Sequence, residues 1–147
     1  MNRMLIGAFV VSAVACSSIA PVKVESGEVC FRCRRVIADS RLAAETIDGA
    51  FVAKFKSSGC LAKYLAEHPE DTSIVFVTDY ASGRLIRPVR ARFVPTLNRD
   101  NGERDYIAFM DVASAEAEAL SRRAKILTWE DVRAEGRDWA DRQLRGN

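Results

Sequence analysis

Asp48-Gly49 lies between two short apolar-rich runs, Leu42–Ile47 and Ala50–Phe55. That pair between such runs is the strongest short-range hairpin signal. It fixes the first two strands as antiparallel neighbours and sets the order of the elements after them. Ser57 or Ser58 can cap a helix carrying Leu61, Tyr64 and Leu65 on one face. His68-Pro69 ends that helix, because proline disfavours helical backbone in the residue before it. Ser73–Thr78 is β-branched and apolar, as a central buried strand should be. The first half therefore reads β-β-α-β.

The second half repeats the order. A Tyr80–Gly83 turn precedes a strand expected over Arg84–Val94, with Pro88 marking a bulge or an edge. The polar loop Asn98–Glu103 leads to a return strand over Asp105–Met110. Asp111 or Ser114 caps an Ala/Glu/Leu-rich helix to about Ala124, and Ile126-Leu127 is a short last strand. Thr128–Asp131 has the pattern of a capping box for a C-terminal amphipathic helix, which Gly136 is expected to interrupt. The fold class is α+β: two tandem ββαβ units packed together, plus a C-terminal helix.

The N-terminal segment stands apart from this pattern. Arg3 is followed by an apolar run over Met4–Val11 and then by small residues up to Cys16. A basic start, a short apolar middle and a small-residue end make a secretory signal. The run is too short for a membrane span, which needs roughly 20 residues. Ala13-Val14-Ala15-Cys16 resembles the lipobox of bacterial lipoproteins, in which the cysteine is acylated and becomes the mature N-terminus. Ordinary secretion, with cleavage after Ala15 or Ala20, is the alternative. The expected organisation is a signal over 1–15, a polar tether over 16–28 and an α+β domain over 29–147, with halves of about 29–80 and 81–147. The lipid at Cys16 would anchor the chain to a membrane facing the periplasm of a double-membraned bacterium. Ser17, in place of Asp, points by analogy to the outer membrane.

Composition narrows the chemistry. In 147 residues there are four cysteines and one histidine, with a net charge of +2. So small a charge gives no bulk-charge basis for nucleic-acid binding, and no nucleic-acid partner is expected. One histidine excludes a multi-imidazole metal site, leaving sulfur and carboxylates. With Cys16 assigned to a lipid, Cys30, Cys33 and Cys60 remain. Cys30-Phe31-Arg32-Cys33 is a CxxC pair, whose turn can aim two thiolates at one metal ion, copper(I) or zinc. The same spacing permits a redox dithiol or, in an oxidising compartment, a structural disulfide. Cys60 falls at a helix start, where the N-terminus lowers a thiol pKa. It reads first as a small buried packing residue and alternatively as a third sulfur ligand.

Other candidates have plainer readings. His68 sits at a helix end, where it caps. Arg84, Arg87, Arg90 and Arg92, with Arg32, Arg34 and Arg35, read as solvated charge, with docking of an acidic partner or lipid headgroups as the alternative. Trp129 and Trp139 read as packing residues of the last helix. No serine-histidine-acid set, phosphate-binding glycine loop or carboxylate pair is present, so no catalytic residues are assigned and the chain is not expected to be an enzyme.

Taken in order, CxxC, Phe55-x-Ser57-x-x-Cys60-Leu61, Val77-Thr78-Asp79-Tyr80-Ala81-Ser82-Gly83, Ala91–Val94 and Ile107-Ala108-Phe109 resemble the NosL family, the accessory lipoproteins of nitrous-oxide reductase maturation. The resemblance covers residues 30 to about 133. It implies two ββαβ halves and a periplasmic copper(I) chaperone that hands metal to a recipient cuproenzyme such as nitrous-oxide reductase. The chain departs from the family in two places. Arg34-Arg35 follows Cys33 where the family has Gly-Met, and Asn101-Gly102-Glu103 replaces a Pro-Met-Gly segment. Met110 does not align with the missing methionine, so Cys30 and Cys33 are the ligands the resemblance leaves. The alternatives are a thiol-disulfide redox protein using the same pair, and a structural or docking lipoprotein with a disulfide.

Overall fold

A computed structural model describes residues 19–146. The expected signal over 1–15 and Cys16, the expected lipidation site, lie outside the described residues.

The first sheet holds β1 (Ala44–Asp48), β2 (Phe51–Phe55), β3 (Ile74–Thr78) and β4 (Leu85–Ile86), in the order β2-β1-β3-β4 with every neighbour antiparallel. Asp48 pairs with Phe51 across the hairpin, and Gly49 takes φ +57, a backbone glycine adopts without a Cβ penalty. Helix α1 (Ser58–Glu67) joins β2 to β3. Ser57 caps it by accepting the Cys60 N–H at 3.1 Å, and His68 closes it. The second sheet is the hairpin of β5 (Arg92–Leu97) and β6 (Arg104–Phe109). Helix α2 (Val112–Arg122) follows, capped by Asp111 and ended by Arg123 at φ +52. The expected strand at Ile126-Leu127 is a single bridge, Leu127 to Phe93. That bridge is the counterpart of β3 on β1: in each half, the chain leaving the helix returns antiparallel to the first strand. The α+β class and the repeated ββαβ order are therefore present.

Pro88 does something other than mark a bulge. The expected strand over Arg84–Val94 is broken into β4, a 3-10 turn at Pro88–Arg90, and β5. Proline has no N–H to give a ladder, and its fixed φ suits the first position of a helical turn. The chain uses that turn to leave the first sheet and enter the second, so β4 belongs to the first half and the crossing falls after it.

Two further expectations change. The tether is expected to run through Glu28, but the chain is strapped to the sheet from Val22. The Val22 N–H donates to Glu45 at 2.8 Å, Val24 is buried, and Glu28 pairs with Lys54 at 2.7 Å. Helix α3 (Trp129–Arg145) is not interrupted at Gly136. A Cβ there would stand 2.7 Å from the Ala62 carbonyl oxygen, so glycine lets α3 cross α1 closely. The Thr128/Asp131 capping box is formed as the sequence suggests.

The halves share one core. Phe55, Leu61 and Val77 of the first half pack in one cluster with Phe93, Leu127 and Val132 of the second. Asp79 joins them through a parallel bridge to Ala108, and its carboxylate accepts the Met110 N–H at 2.9 Å. The same carboxylate accepts from Ser82, which shapes the Tyr80–Gly83 turn. No helix among the described residues is long and apolar enough to cross a membrane.

Candidate metal centre

The CxxC segment forms the tip of a small loop laid on the edge of β2. Val29 bridges Val36, Cys30 N–H donates to the Arg35 carbonyl at 2.8 Å, and Phe31 N–H donates to the Lys54 carbonyl at 2.7 Å. The turn closes with Arg34 N–H on the Cys30 carbonyl at 3.0 Å. To do so Arg34 adopts φ +61. A left-handed conformation costs a residue with a Cβ roughly 1–2 kcal/mol. The turn around the CxxC pair is therefore kept at the expense of local strain.

Helix α1 supplies the third sulfur. Ser57, Ser58, Gly59 and Cys60 are all buried. Asp105 of β6 accepts the Gly59 N–H at 3.0 Å and its own neighbour's Tyr106 N–H at 2.9 Å. This holds the helix start against the second sheet. Burial raises the Asp105 pKa, opposed by hydrogen bonds from Ser57, Tyr106 and Gly59. Asp105 opens a run, Asp105–Phe109, that is buried on both faces of β6. A carboxylate leading an otherwise apolar strand was the available sequence signal for it.

The Sγ atoms of Cys30, Cys33 and Cys60 lie within 4.8 Å of one another, and Cys30 and Cys60 are 3.5 Å apart. A metal–sulfur bond of about 2.3 Å in a trigonal plane sets sulfurs roughly 4 Å apart. The three thiols can therefore hold one metal ion with sub-ångström adjustment. Cys60 is buried, as a packing residue would be, but its sulfur faces the CxxC pair. A lone cysteine 27 positions beyond Cys33 in the sequence gives no sign of this; the juxtaposition arises when α1 folds back under the loop. All three cysteines are free thiols.

Electrostatics already favour a thiolate. Cys30 is acidified to about 5, chiefly by the hydrogen bond with Cys60 and, against burial, by the Cys33 and Lys56 backbone N–H groups. Cys60 is pushed up, by that same hydrogen bond first and then by burial. The pair shares a proton: Cys30 gives up its own easily, and the one on Cys60 is held by the hydrogen bond to the Cys30 thiolate.

Cys30 is closed off from solvent, whereas the half-buried Cys33 and the more deeply buried Cys60 both line a cavity of about 240 Å³. Arg32, Lys63 and Trp139 form part of its wall. Arg32 holds Glu67 with two hydrogen bonds at 2.8 and 2.7 Å and lies 4.7 Å over the Trp139 ring. Lys63 lies 4.9 Å from the same ring. Arg32 is thus no solvated charge, and Trp139 packs as expected while also lining the way to the sulfurs. Trp129 packs against Phe93 at 5.6 Å. His68 caps α1 at the end remote from Cys60, beside Tyr64 and 3.4 Å from Glu70. Met110 sits at the far end of β6 from Asp105, which touches α1.

The set is a cluster of three thiols from two chain segments that could hold a metal ion. No protein-family model, curated protein or solved structure matches the chain.

Proposed function

We propose that the protein is a membrane-anchored, periplasm-facing copper(I) carrier of the kind the NosL-like motifs imply, delivering its metal to a recipient cuproenzyme and carrying out no chemical turnover of its own. The observation that supports it is the three-sulfur cluster, with Cys33 and Cys60 lining a cavity. Thiolate sulfur is the soft donor that copper(I) selects. Zinc ordinarily takes four ligands, whereas copper(I) is content with the three that Cys30, Cys33 and Cys60 offer. A buried pair with a more open third sulfur also suits a carrier. Cys30 and Cys60 hold the ion, and Cys33 is the place where an incoming ligand can replace a bond. Acylation at Cys16 would keep the carrier on its membrane.

The test is titration of the reduced mature chain with copper(I) against a competing chelator, beside Cys30→Ser/Cys33→Ser and Cys60→Ser. One ion per chain is expected, with no tight binding by the double variant and at least tenfold weaker binding by Cys60→Ser. Wild-type binding no stronger than that of the double variant would overturn the proposal. Disulfide-reductase activity toward insulin, lost in Cys30→Ser, would favour the redox reading instead.

A further inference from the structure

Both residues between Cys30 and Cys33 reach from the CxxC loop to α1. The Phe31 ring packs edge-on against Tyr64 at 5.7 Å, with Phe55 of β2 beside it at 6.2 Å. Arg32 gives Glu67 two hydrogen bonds, at 2.8 and 2.7 Å, and lies over the Trp139 ring of α3. Cys60, Tyr64 and Glu67 stand at i, i+4 and i+7 of α1, so they form one stripe along the helix. The loop lies along that stripe: Cys30 meets Cys60 at 3.5 Å, Phe31 meets Tyr64, and Arg32 meets Glu67. The backbone N–H groups of Cys30, Phe31 and Arg34 bond within the loop or to β2. Register on α1 is therefore set by side chains. The Arg32–Glu67 pair is two-pronged and charge-assisted, a geometry that fixes distance and orientation together.

We infer that Phe31 and Arg32 are positioning residues of the metal centre: they hold the loop in register on α1 and so bring Cys60 in as the third sulfur. This rests on the carrier reading above. Neither side chain donates to the ion. With the register lost, Cys30 and Cys33 still share a turn, but Cys60 travels with α1 and the site falls to two sulfurs. The pairing of Arg32 with Glu67 thereby sets the coordination number, and with it how firmly the ion is held. Arg41 supplies a matched control, because it makes the same two kinds of contact outside the stripe: it pairs with Asp39 at 3.0 Å and lies 4.4 Å over the Tyr80 ring.

The first arm of the experiment uses no metal, so it is read independently of the copper titration. In the mature chain carrying Cys33→Ser, the effective concentration of Cys30 toward Cys60 is measured as disulfide formation in a glutathione redox buffer. Arg32→Ala and Glu67→Gln should each lower it roughly tenfold, Phe31→Ala should lower it less, and Arg32→Lys should recover part of the loss. Arg41→Ala should leave it unchanged. Glu67→Gln keeps the shape of the helix end, so a fall in that variant is not misfolding. An unchanged value in Arg32→Ala or Glu67→Gln, or an equal fall in Arg41→Ala, would overturn the inference. The second arm counts the sulfurs around copper(I) by X-ray absorption, with three expected in the wild type and two in Arg32→Ala. Three in both would overturn the inference as well. A wild-type chain that takes up no copper(I) would sink the carrier reading and leave the first arm to decide the positioning role.

Discussion

Glu45 enters the sheet interior with one carboxylate oxygen on the Val22 N–H and the other without a partner. It is wholly shielded from solvent, and burial raises its pKa, opposed by the Val22 hydrogen bond and the Lys54 charge. A carboxylate whose folded pKa is raised contributes fully below its unfolded value, near 4.5, and loses that contribution as pH rises. At neutral pH the ionised group therefore opposes folding. Glu45→Gln should raise the melting temperature at pH 7, because the glutamine carries no charge to bury. That gain should shrink as the pH falls toward 4.5, which thermal melts at both pH values would read. A gain independent of pH would mean that shape, not charge, is responsible. Glu45 and Cys60 have something in common: their positions were plain in the sequence and their surroundings were not. A strand alternation does not say that a preceding strap will cover the outer face, and a lone cysteine does not say what it will face.

Among the elements, α1 does the most to assemble the centre. Its first turn brings Cys60, its N-terminus is fixed by Asp105, and its side is pressed on α3 at Gly136. Helix propensity alone favours alanine over glycine by about 1 kcal/mol. The Ala62 carbonyl at 2.7 Å from an added Cβ reverses that sign, because a backbone oxygen cannot swing aside. Gly136→Ala is expected to destabilise the protein by a net 1–3 kcal/mol, roughly the cost of overpacking, measurable by urea unfolding. A stabilised variant would show that α3 can move off α1. Local signals made most elements legible: Asp48-Gly49 for the hairpin, Ser57 and Asp111 for helix starts, and the Thr128/Asp131 box for α3. Two of the misread places, Pro88 and Gly136, are ones whose meaning is tertiary. One marks a change of sheet and the other a close crossing, and neither leaves a trace in the neighbouring residues.

At the scale of the whole molecule, the three-thiol cluster joins parts that fold from distant sequence. The loop bearing Cys30 lies on β2, Cys60 comes from α1, and α1 is held by β6 and α3 of the other half. Binding to the folded form alone stabilises it by mass action, by about 2.7 kcal/mol at a hundredfold excess over Kd. For a domain of this size that is a rise of roughly 10 °C in melting temperature. Copper(I) should give such a rise in the reduced wild-type chain and about half of it or less in Cys60→Ser, as read by calorimetry. An equal rise in both would remove α1 from the site. The repeated ββαβ order was readable because each unit punctuates itself with turns and caps. The convergence of three sulfurs depends on how the halves pack, which no single segment encodes.

The strap from Val22 onward has a consequence for reach. Were the chain held by a lipid at Cys16, only about six residues, Cys16 to Pro21, would separate the bilayer from the docked portion. At roughly 3.3 Å per extended residue, the leash is about 20 Å long. The domain would hover within its own diameter of the surface, and a partner in the same membrane would be met at the high local concentration that short leashes impose. Encounter would become a search in two dimensions, governed by lateral diffusion more than by abundance.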